Sequence, residues 1–384
     1  MKRLFLSLFL TIFSIGAALA SPYRISLLTC GPGDELYSTF GHSAMRVVNA
    51  ETGSDTVYNF GMFNFADPNF YVKFVRGDLD YYLALQRFDY FLMEYVSEDR
   101  YVYEQVLDLT DEQAEAVVNE LNCRYLPENR TYKYKFIQRN CTTELRDIIV
   151  DFSDPEESFL LREDIETWRY YLNACVQDKL WARIGINIVL GSKVDRKINN
   201  FEKMWLPELL YDGLPDITRI GDDGESKGIV AQTVVLNSND RSHGGGWLKN
   251  NYHYLLFGFV ALLLVFLNSR IADSIYFFLL GVLGLLVIFL MFYSTHMEFQ
   301  ANYNLLWCNP LWILSGIFIL RKKPKATFVL SGLSLLCSLA TLVIWLAGIQ
   351  GFDPVFLIMV FSLFGISLKY FRGYRTYLKK ESWK

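Results

Sequence analysis

The last third of the chain contains five apolar segments, and they limit the possible folds more strongly than any other feature of the sequence. A helix needs roughly 20 residues to cross the hydrocarbon core of a bilayer, because each residue adds only about 1.5 Å. Several of the segments are near or just under that length, so their ends must extend into flanking aromatic residues. The pattern predicts an all-α transmembrane domain of about five helices. The segments are 254–267, 275–292, 305–320, 328–348 and 356–369.

The positions of the basic residues indicate how these helices are oriented. The apolar region, counted from residue 251, contains eleven Lys/Arg and four Asp/Glu. Because Lys and Arg collect on the cytoplasmic side, five spans explain their distribution, whereas four or six would put the basic loop and the basic tail on opposite sides. We expect a multi-pass protein of the inner membrane with a cytoplasmic C-terminus and the preceding domain on the periplasmic face. The basic residues lie at 268–270, 321–325 and 369–384, and the loops at 294–304 and 347–353 contain none.

The first twenty residues have the features of a signal peptide. Two basic residues and an apolar run at 4–17 are followed by small residues before Ser21. An uncleaved anchor is the alternative. A lipidation site at Cys30 fits less well, because Thr29 stands where glycine, alanine or serine normally precedes the lipidated cysteine. The mature chain is expected to begin near Ser21, outside the cytoplasm.

The chain before the apolar region is acidic. It holds 26 Lys/Arg against 37 Asp/Glu, as expected for a water-soluble domain, and no nucleic-acid partner is expected for an acidic secreted domain. Three consecutive glycines, 244–246, indicate a flexible connection to the helices. The predicted organisation is a signal peptide at 1–20, a periplasmic domain at 21–236, a linker at 237–251 and a transmembrane domain at 252–384.

The periplasmic domain is predicted to be α+β, with a small antiparallel sheet packed against helices. A turn-rich segment at 49–55 predicts a hairpin between two strands. Thr110 is the expected N-cap of one helix, and a second helix is expected to begin at or just before Cys141 and to continue to Val150. The predicted strands are 43–48, 56–60, 79–85 and 101–109, and the first helix is 111–122.

His42 and Cys141 are the candidate catalytic residues. A thiol acts as a nucleophile when ionised, and an imidazole with a helix N-terminus lowers its pKa from about 8.5 to about 3.5–7.5. His42, at the start of a predicted strand, would act as base and then as acid. The other histidine of this part, His243, lies in the linker. A third polar group usually orients the imidazole, and we assign that role to Asn59, with Tyr58 as the next candidate.

Two interpretations without catalysis stay open for Cys141. A cysteine among aromatic residues is most often a small buried hydrophobic residue. In an oxidising compartment the four cysteines of the domain could also form two disulfides, one of them including Cys141. Zinc is not expected, because no two Cys or His residues here have the close spacing of zinc sites. No cofactor is expected either. The four cysteines are Cys30, Cys123, Cys141 and Cys175.

The order of these motifs resembles a known type of fold and, more closely, a known family. A histidine on a strand, followed later by Asn-Cys at a helix, is similar to the circularly permuted papain-like fold of lecithin:retinol acyltransferase relatives. The closer resemblance is to the Lnb-type lipoprotein N-acyltransferases, in which a secreted cysteine domain precedes a helical membrane domain. The resemblance covers nearly the whole mature chain. The similar motifs are 40–46, 58–61, 70–77, 140–143 and 295–296, with Asn302, Asn304 and 305–307.

The resemblance implies an activity and its substrates. Cys141 would take an acyl chain from a phospholipid as a thioester and pass it to the α-amine of the lipidated N-terminal cysteine of a diacylated lipoprotein, a membrane-held acceptor. The backbone N–H of Cys141 is expected to stabilise the oxyanion, and Gln138, Arg139 and Asn140 are candidates to assist it.

The loop between the second and third apolar segments contains further candidate residues. Two interpretations are open: the loop caps the helices at the membrane interface, or, as the resemblance implies, it positions the substrate amine or headgroup. The candidates are His296, Asn302 and Asn304.

Two other functions fit the same residues. A membrane-tethered papain-like peptidase or amidase acting on envelope peptides would transfer its acyl group to water. A non-enzymatic scaffold would not need the sulfur of Cys141.

Overall fold

The computed structural model of the protein describes residues 21–221, 224–239 and 247–381. The predicted signal peptide, and the part of the predicted linker that contains His243, lie outside the described residues. The chain forms two compact units, which we describe separately. The first comprises the described residues of Met1–Phe70, Leu79–Asp164 and Asn199–Arg241, and the second those of Tyr71–Asp78, Ile165–Ile198 and Ser242–Lys384.

The described residues form the strands β1 Tyr23–Cys30, β2 His42–Asn49, β3 Ser54–Met62, β4 Asp80–Arg87, β5 Val102–Leu107, β6 Thr131–Lys133, β7 Glu163–Thr167, β8 Lys197–Asn199, β9 Thr218–Ile220, β10 Ser226–Gly228 and β11 Val230–Asn237. Seven of these strands form an antiparallel sheet in the first unit, with the order β11-β5-β1-β2-β3-β4-β6. The others form two two-stranded sheets, β9 with β10 and β7 with β8. The α+β prediction for this part of the chain is therefore confirmed, and its papain-like assignment stays a prediction.

Helices flank this sheet and make up most of the second unit. The α-helices that precede the C-terminal ones are α1 Phe70–Arg76, α2 Phe88–Ser97, α3 Asp111–Tyr125, α4 Cys141–Ser153, α5 Glu157–Leu160, α6 Trp168–Cys175, α7 Leu180–Val189, α8 Asn200–Lys203 and α9 Pro207–Gly213. The C-terminal helices are α10 Trp247–Phe266, α11 Arg270–Tyr293, α12 Trp312–Leu320, α13 Pro324–Leu346 and α14 Pro354–Glu381.

The sheet buries a different set of side chains on each face, because successive residues of a strand point to opposite sides. One face, with Leu27, Met45 and Phe60, belongs to the larger core, to which α3 and α4 also contribute. The other face, with Ala44 and Val57, belongs to a smaller core with α2. Both faces are covered, so the central strands β1 and β2 contain few exposed residues.

The structure confirms the predicted hairpin and the predicted N-cap of the first helix. The turn at 49–55 connects β2 to β3 as a hairpin, and the Asn49 Oδ1 accepts the Glu51 and Thr52 N–H groups within it. Thr110 caps α3 in a capping box with Gln113, which satisfies two N–H groups that a helix start leaves without partners.

The second unit contains the helices of the predicted transmembrane domain. Within the described residues, three helical segments are long and apolar enough to cross a membrane: Arg270–Tyr293, Pro324–Leu346 and Pro354–Tyr374. The segment predicted at 305–320 contains α12, which has only nine residues and so rises about 14 Å. The apolar stretch Tyr252–Phe266 of α10 is also short. The prediction of five spans therefore stays a prediction.

Candidate active site

His42 begins strand β2 at a position fixed by the preceding glycine. Gly41 has a φ of +74°, and a Cβ there would lie 2.8 Å from the carbonyl oxygen of Cys30. Glycine is therefore needed both for its left-handed backbone and for its lack of a side chain. Cys30 pairs with His42 in the ladder between β1 and β2, so the imidazole lies at the end of the central strand pair.

Cys141 begins helix α4, and the cap of that helix determines where the sulfur lies. The Oδ1 of Asn140 accepts the N–H groups of Thr142 and Thr143 at 2.8 and 2.9 Å. The Thr143 Oγ1 accepts the N–H of Asn140 at 2.8 Å, which completes a capping box. This cap does not use the N–H of Cys141. That N–H and the sulfur therefore lie together at the positive end of the helix dipole.

The imidazole of His42 joins Asn59 to Cys141. His42 Nε2 lies 2.6 Å from the Oδ1 of the buried Asn59. An amide oxygen only accepts hydrogen bonds, so Nε2 carries the proton of this bond. His42 also interacts with Cys141, because the charge and hydrogen bonding of each residue shift the pKa of the other, and Nδ1 is the ring atom that the bond to Asn59 leaves for this interaction. The three predicted residues therefore lie together in the structure.

The surroundings favour the charged forms of both His42 and Cys141. Burial disfavours the thiolate, but the charge and hydrogen bond of His42, the Ser43 N–H and the Thr142 hydroxyl outweigh it, so the pKa of Cys141 is lowered. Burial likewise disfavours the imidazolium, but the charge and hydrogen bond of Cys141 and the bond to Asn59 raise the pKa of His42. The pair is therefore shifted towards thiolate and imidazolium.

Gly61 and Ser43 pack against the start of α4, where Cys141 lies. Gly61 has a φ of +85°, and a Cβ there would lie 3.2 Å from the Cβ of Cys141. Ser43, next to His42, contacts the Thr142 Oγ1 through its own Oγ at 3.0 Å. The hydroxyl of Thr142 lies 3.9 Å from the Cys141 Sγ. Strands β2 and β3 and helix α4 therefore meet at this point.

The remaining candidates near Cys141 have other contacts. The hydroxyl of Tyr58 donates to the Asn122 Oδ1 at 2.7 Å, because Tyr58 lies on the opposite face of β3 from Asn59. Asn140 caps α4, and its Nδ2 also donates to two backbone carbonyls, at 2.8 and 3.0 Å. Arg139 pairs with Glu144 at 2.7 Å, and Gln138 is exposed in the turn before it.

The candidates of the loop after α11 lie in the second unit. Asn302 and Asn304 donate through Nδ2 to the last backbone carbonyls of α7, at 2.9–3.0 Å. The Oδ1 of Asn304 accepts the indole N–H of Trp307 at 2.9 Å. His296 Nε2 lies 3.2 Å from the carbonyl oxygen of Phe74. These side chains therefore tie the loop to other backbone segments of its own unit.

The structure also bears on the alternatives for Cys141. All six cysteines lie in the described part of the chain, and all are free thiols. Cys141 is thus not part of a disulfide. Among the described residues, no group of three or more His, Cys, Asp or Glu side chains is placed to hold a metal ion.

Two residues of the site were not assigned from the sequence. Ser43 contributes its backbone N–H to Cys141, and no property of its side chain predicts this. Arg100 is buried, donates to the carbonyl of Gly31 at 2.7 Å, and its charge acts against protonation of His42. Arg100 follows a polar run typical of an exposed turn, so its burial has no local signal in the sequence.

The arrangement is suited to nucleophilic chemistry. A thiolate at a helix N-terminus can attack a carbonyl carbon, an adjacent imidazolium can donate a proton to the leaving group, and a helix N–H can bind the developing oxyanion.

Comparison with known proteins gives two matches to family models. Residues 17–174 match the model of the Lnb N-terminal periplasmic domain. Residues 254–377 match the model of the Lnb transmembrane domain. Together the matches cover well over half of the chain, in the order in which the two domains were expected from the sequence. No curated protein and no solved structure matches the chain.

Proposed function

The chain belongs to the Lnb family, and on this premise we propose that it is a membrane-bound lipoprotein N-acyltransferase. In this proposal Cys141 takes an acyl chain from a phospholipid and transfers it to the α-amine of a lipidated N-terminal cysteine. The coupling of His42 to both Cys141 and Asn59 carries the proposal, because it supplies an ionised nucleophile and a proton carrier in one buried place.

Both substrates are membrane-held, which favours a membrane-bound enzyme. In the described part of the second unit, three helical segments are long and apolar enough to span a bilayer. We place the chain in the inner membrane with five spans, the catalytic unit on the periplasmic face and the C-terminus in the cytoplasm. The distribution of Lys and Arg between the loops supports this orientation.

The first step is the acylation of Cys141. The thiolate attacks the ester carbonyl carbon of the phospholipid, and a C–S bond forms. The ester C–O bond then breaks, and the imidazolium of His42 gives its proton to the departing lysophospholipid oxygen. Asn59 keeps the Nε2 side of the ring occupied, so the Nδ1 side faces the reaction.

The second step transfers the acyl chain to nitrogen. The neutral amine of the lipoprotein attacks the thioester carbon, a C–N bond forms, and the C–S bond breaks. Neutral His42 takes the proton that the nitrogen loses, and the thiolate–imidazolium pair is restored. An ordinary amide product needs no oxidant, metal or cofactor.

The oxyanion of each step needs hydrogen-bond donors. The N–H of Cys141 is our first choice, because the Asn140 cap leaves it unused while holding it beside the sulfur. Gln138 is the second candidate, because Arg139 is paired with Glu144 and Asn140 is occupied as the cap. His296 stays a candidate for positioning the acceptor amine in the second step.

Trapping the thioester tests the proposal directly. Purified full-length protein in detergent micelles is incubated with phospholipid, and intact mass is measured with and without hydroxylamine. We expect a hydroxylamine-labile acyl adduct on Cys141, its loss in Cys141→Ser, and its retention in Cys123→Ser, a matched change of an exposed cysteine in the same unit.

Adding an acceptor separates the proposed function from its rival. A synthetic diacylated lipopeptide with a free α-amine should gain one acyl chain, and its N-acetylated form should not. Release of fatty acid to water with the lipopeptide unchanged would instead indicate a hydrolase. Full acyl transfer by Cys141→Ser would reject the cysteine mechanism.

A further inference from the structure

Six aromatic side chains of the first unit run from the surroundings of Cys141 to the protein surface. We call them the aromatic strip. Its members are Tyr81, Tyr134, Phe63, Phe70, Phe65 and Tyr37.

The strip is continuous. The rings of Tyr81 and Tyr134 are stacked with centroids 4.2 Å apart, and the ring of Phe63 lies 5.3 Å from that of Tyr81. Phe65 follows at 4.8 Å from Phe63, and Tyr37 lies 6.0 Å from Phe65. The Tyr81–Tyr134 pair is slightly closer than the usual range of about 4.5–7 Å for interacting aromatic rings, and the other distances lie within that range.

The inner end of the strip lies in the same buried core as Cys141. Cys141 and Tyr81 belong to the same buried core, against which Phe63 and Tyr134 pack. Phe63 comes two residues after Gly61, where an added Cβ would touch the Cβ of Cys141. Burial raises the pKa of Tyr81 and Tyr134, and the charge of Cys141 raises it further, as expected for phenols close to a thiolate.

The outer end of the strip is exposed. The exposed fraction rises from 6% at Tyr81 to 58% at Phe65 and 62% at Tyr37. The segment that carries Tyr37 is held by backbone and side-chain bonds, including Gly33 N–H to the Ser38 carbonyl and Ser38 Oγ–H to the Glu35 carbonyl. Contiguous exposed apolar surface that leads to a reactive group marks a binding site for an apolar ligand.

We propose that the aromatic strip binds the fatty acyl chain that Cys141 carries. This inference rests on the proposed function and adds to it the residues that hold the chain. An acyl group on the sulfur has its carbonyl at the helix N-terminus, and its hydrocarbon tail needs an apolar surface that begins there. The strip begins there, offers no charged group, and opens to the outside, where a lipid tail can enter and leave.

The proposal predicts a dependence on chain length. Each methylene fully removed from water changes a binding or rate constant by about fourfold, so long chains should acylate Cys141 faster than short ones. Removing the outer rings should reduce that preference. It should leave a short chain, which reaches only the inner rings, almost unaffected.

The experiment compares phosphatidylglycerols with butanoyl, octanoyl and hexadecanoyl chains in identical detergent micelles. The rate of Cys141 acylation in full-length protein is followed by intact mass. We expect Tyr37→Ala/Phe65→Ala to lose at least about tenfold in rate with hexadecanoyl donor and less than about twofold with butanoyl donor. Tyr90→Ala is the matched control, since Tyr90 is an exposed tyrosine on α2 of the same unit. It should retain the wild-type preference.

The outcomes separate the two proposals. If wild-type protein forms an adduct and the double variant keeps the chain-length preference, the strip proposal is overturned and the proposed function stands. Equal slowing with all three donors would also overturn it, because the rings would then be structural. The same assay can be run on phosphatidylglycerol vesicles. If the double variant acylates more slowly on vesicles but not in micelles, the strip contacts the bilayer rather than the acyl chain, and the strip proposal is overturned. A wild-type protein without any adduct would reject the proposed function and the strip with it.

Discussion

The Nε2 of His42 and the Oδ1 of Asn59 lie 2.6 Å apart, and this bond connects the first residue of β2 to the middle of β3. Both residues lie on the sheet face of Ala44 and Val57. The bond occupies Nε2 and leaves the other ring nitrogen for Cys141, so in the proposed mechanism Asn59 is a positioning residue rather than a group that reacts.

Replacement of Asn59 tests this positioning. We expect Asn59→Ala to slow Cys141 acylation by about ten- to a hundredfold, because the imidazole is no longer held in one orientation. Asn59→Asp keeps the acceptor and adds a negative charge, which raises the pKa of His42 further. It should therefore retain more activity than Asn59→Ala and shift the alkaline limb of the pH–rate profile upwards. A profile that is identical in all three proteins would show that Asn59 does not act through His42.

The pH dependence of Cys141 alkylation tests the thiolate–imidazolium pair. A lowered pKa at Cys141 means that the thiolate persists as the pH falls below about 8.5, the value of an ordinary thiol. Iodoacetamide should therefore alkylate Cys141 in wild-type protein at neutral pH. In His42→Ala the thiol stays buried but loses the positive charge of the imidazolium, so the pKa of Cys141 rises. A rise of one pKa unit lowers the fraction of thiolate, and with it the alkylation rate at neutral pH, by about tenfold.

An internal control exists in the same molecule. Cys123 is exposed, and its alkylation profile should be the same in both proteins. Acyl transfer itself should decrease again at high pH, because His42 loses the proton that the leaving group needs as the pH rises through its raised pKa. An unchanged Cys141 profile in His42→Ala would contradict the coupling.

Alanine substitutions at Gly61 and Gly53 test whether the close approach of β3 to Cys141 positions the sulfur. Both have a positive φ, +85° and +69°, so alanine at either costs about 1–2 kcal/mol of backbone strain. Only Gly61 contacts Cys141, since a Cβ at Gly53 meets no atom within 4 Å. We expect similar losses of thermal stability in the two alanine variants and a strong loss of acylation rate in Gly61→Ala alone. Equal activity in the two variants would show that the contact at Gly61 does not position the sulfur.

Asn304 separates a structural role of its loop from a chemical one. Asn304→Ala leaves the carbonyl of Asn187 and the buried indole N–H of Trp307 without these partners, at a cost of about 1–3 kcal/mol for each group left unpaired, whereas the carbonyl of Ile188 keeps its bond from Asn302. We expect a clear loss of thermal stability in detergent and unchanged alkylation of Cys141 in the folded protein. Asn309→Ala, a half-buried asparagine of the same loop, should cost less. Normal stability with blocked transfer to the amine would instead indicate a role in the second step.

The sequence determined the features that depend on neighbouring residues along the chain. The hairpin of β2 and β3 follows from alternation and turn composition, and the start of α3 follows from the Thr110 and Gln113 pair. The same capping logic applies to Asn140 and Thr143, so the beginning of α4 at Cys141 was predictable from the sequence. The apolar segments of the last third were equally predictable, because the length of an apolar run can be read directly from consecutive residues.

Tertiary structure alone decided which polar side chains meet. Asn59 and Tyr58 were both plausible partners of His42, and the register of β3 placed Asn59 beside the ring and Tyr58 on the opposite face with Asn122. The burial of Arg100 and the contact of the Ser43 N–H with Cys141 likewise depend on how distant segments pack. Local pattern fixes the conformation of a segment. The distance between two side chains from different segments depends on sheet register and helix docking, which no short stretch of sequence encodes.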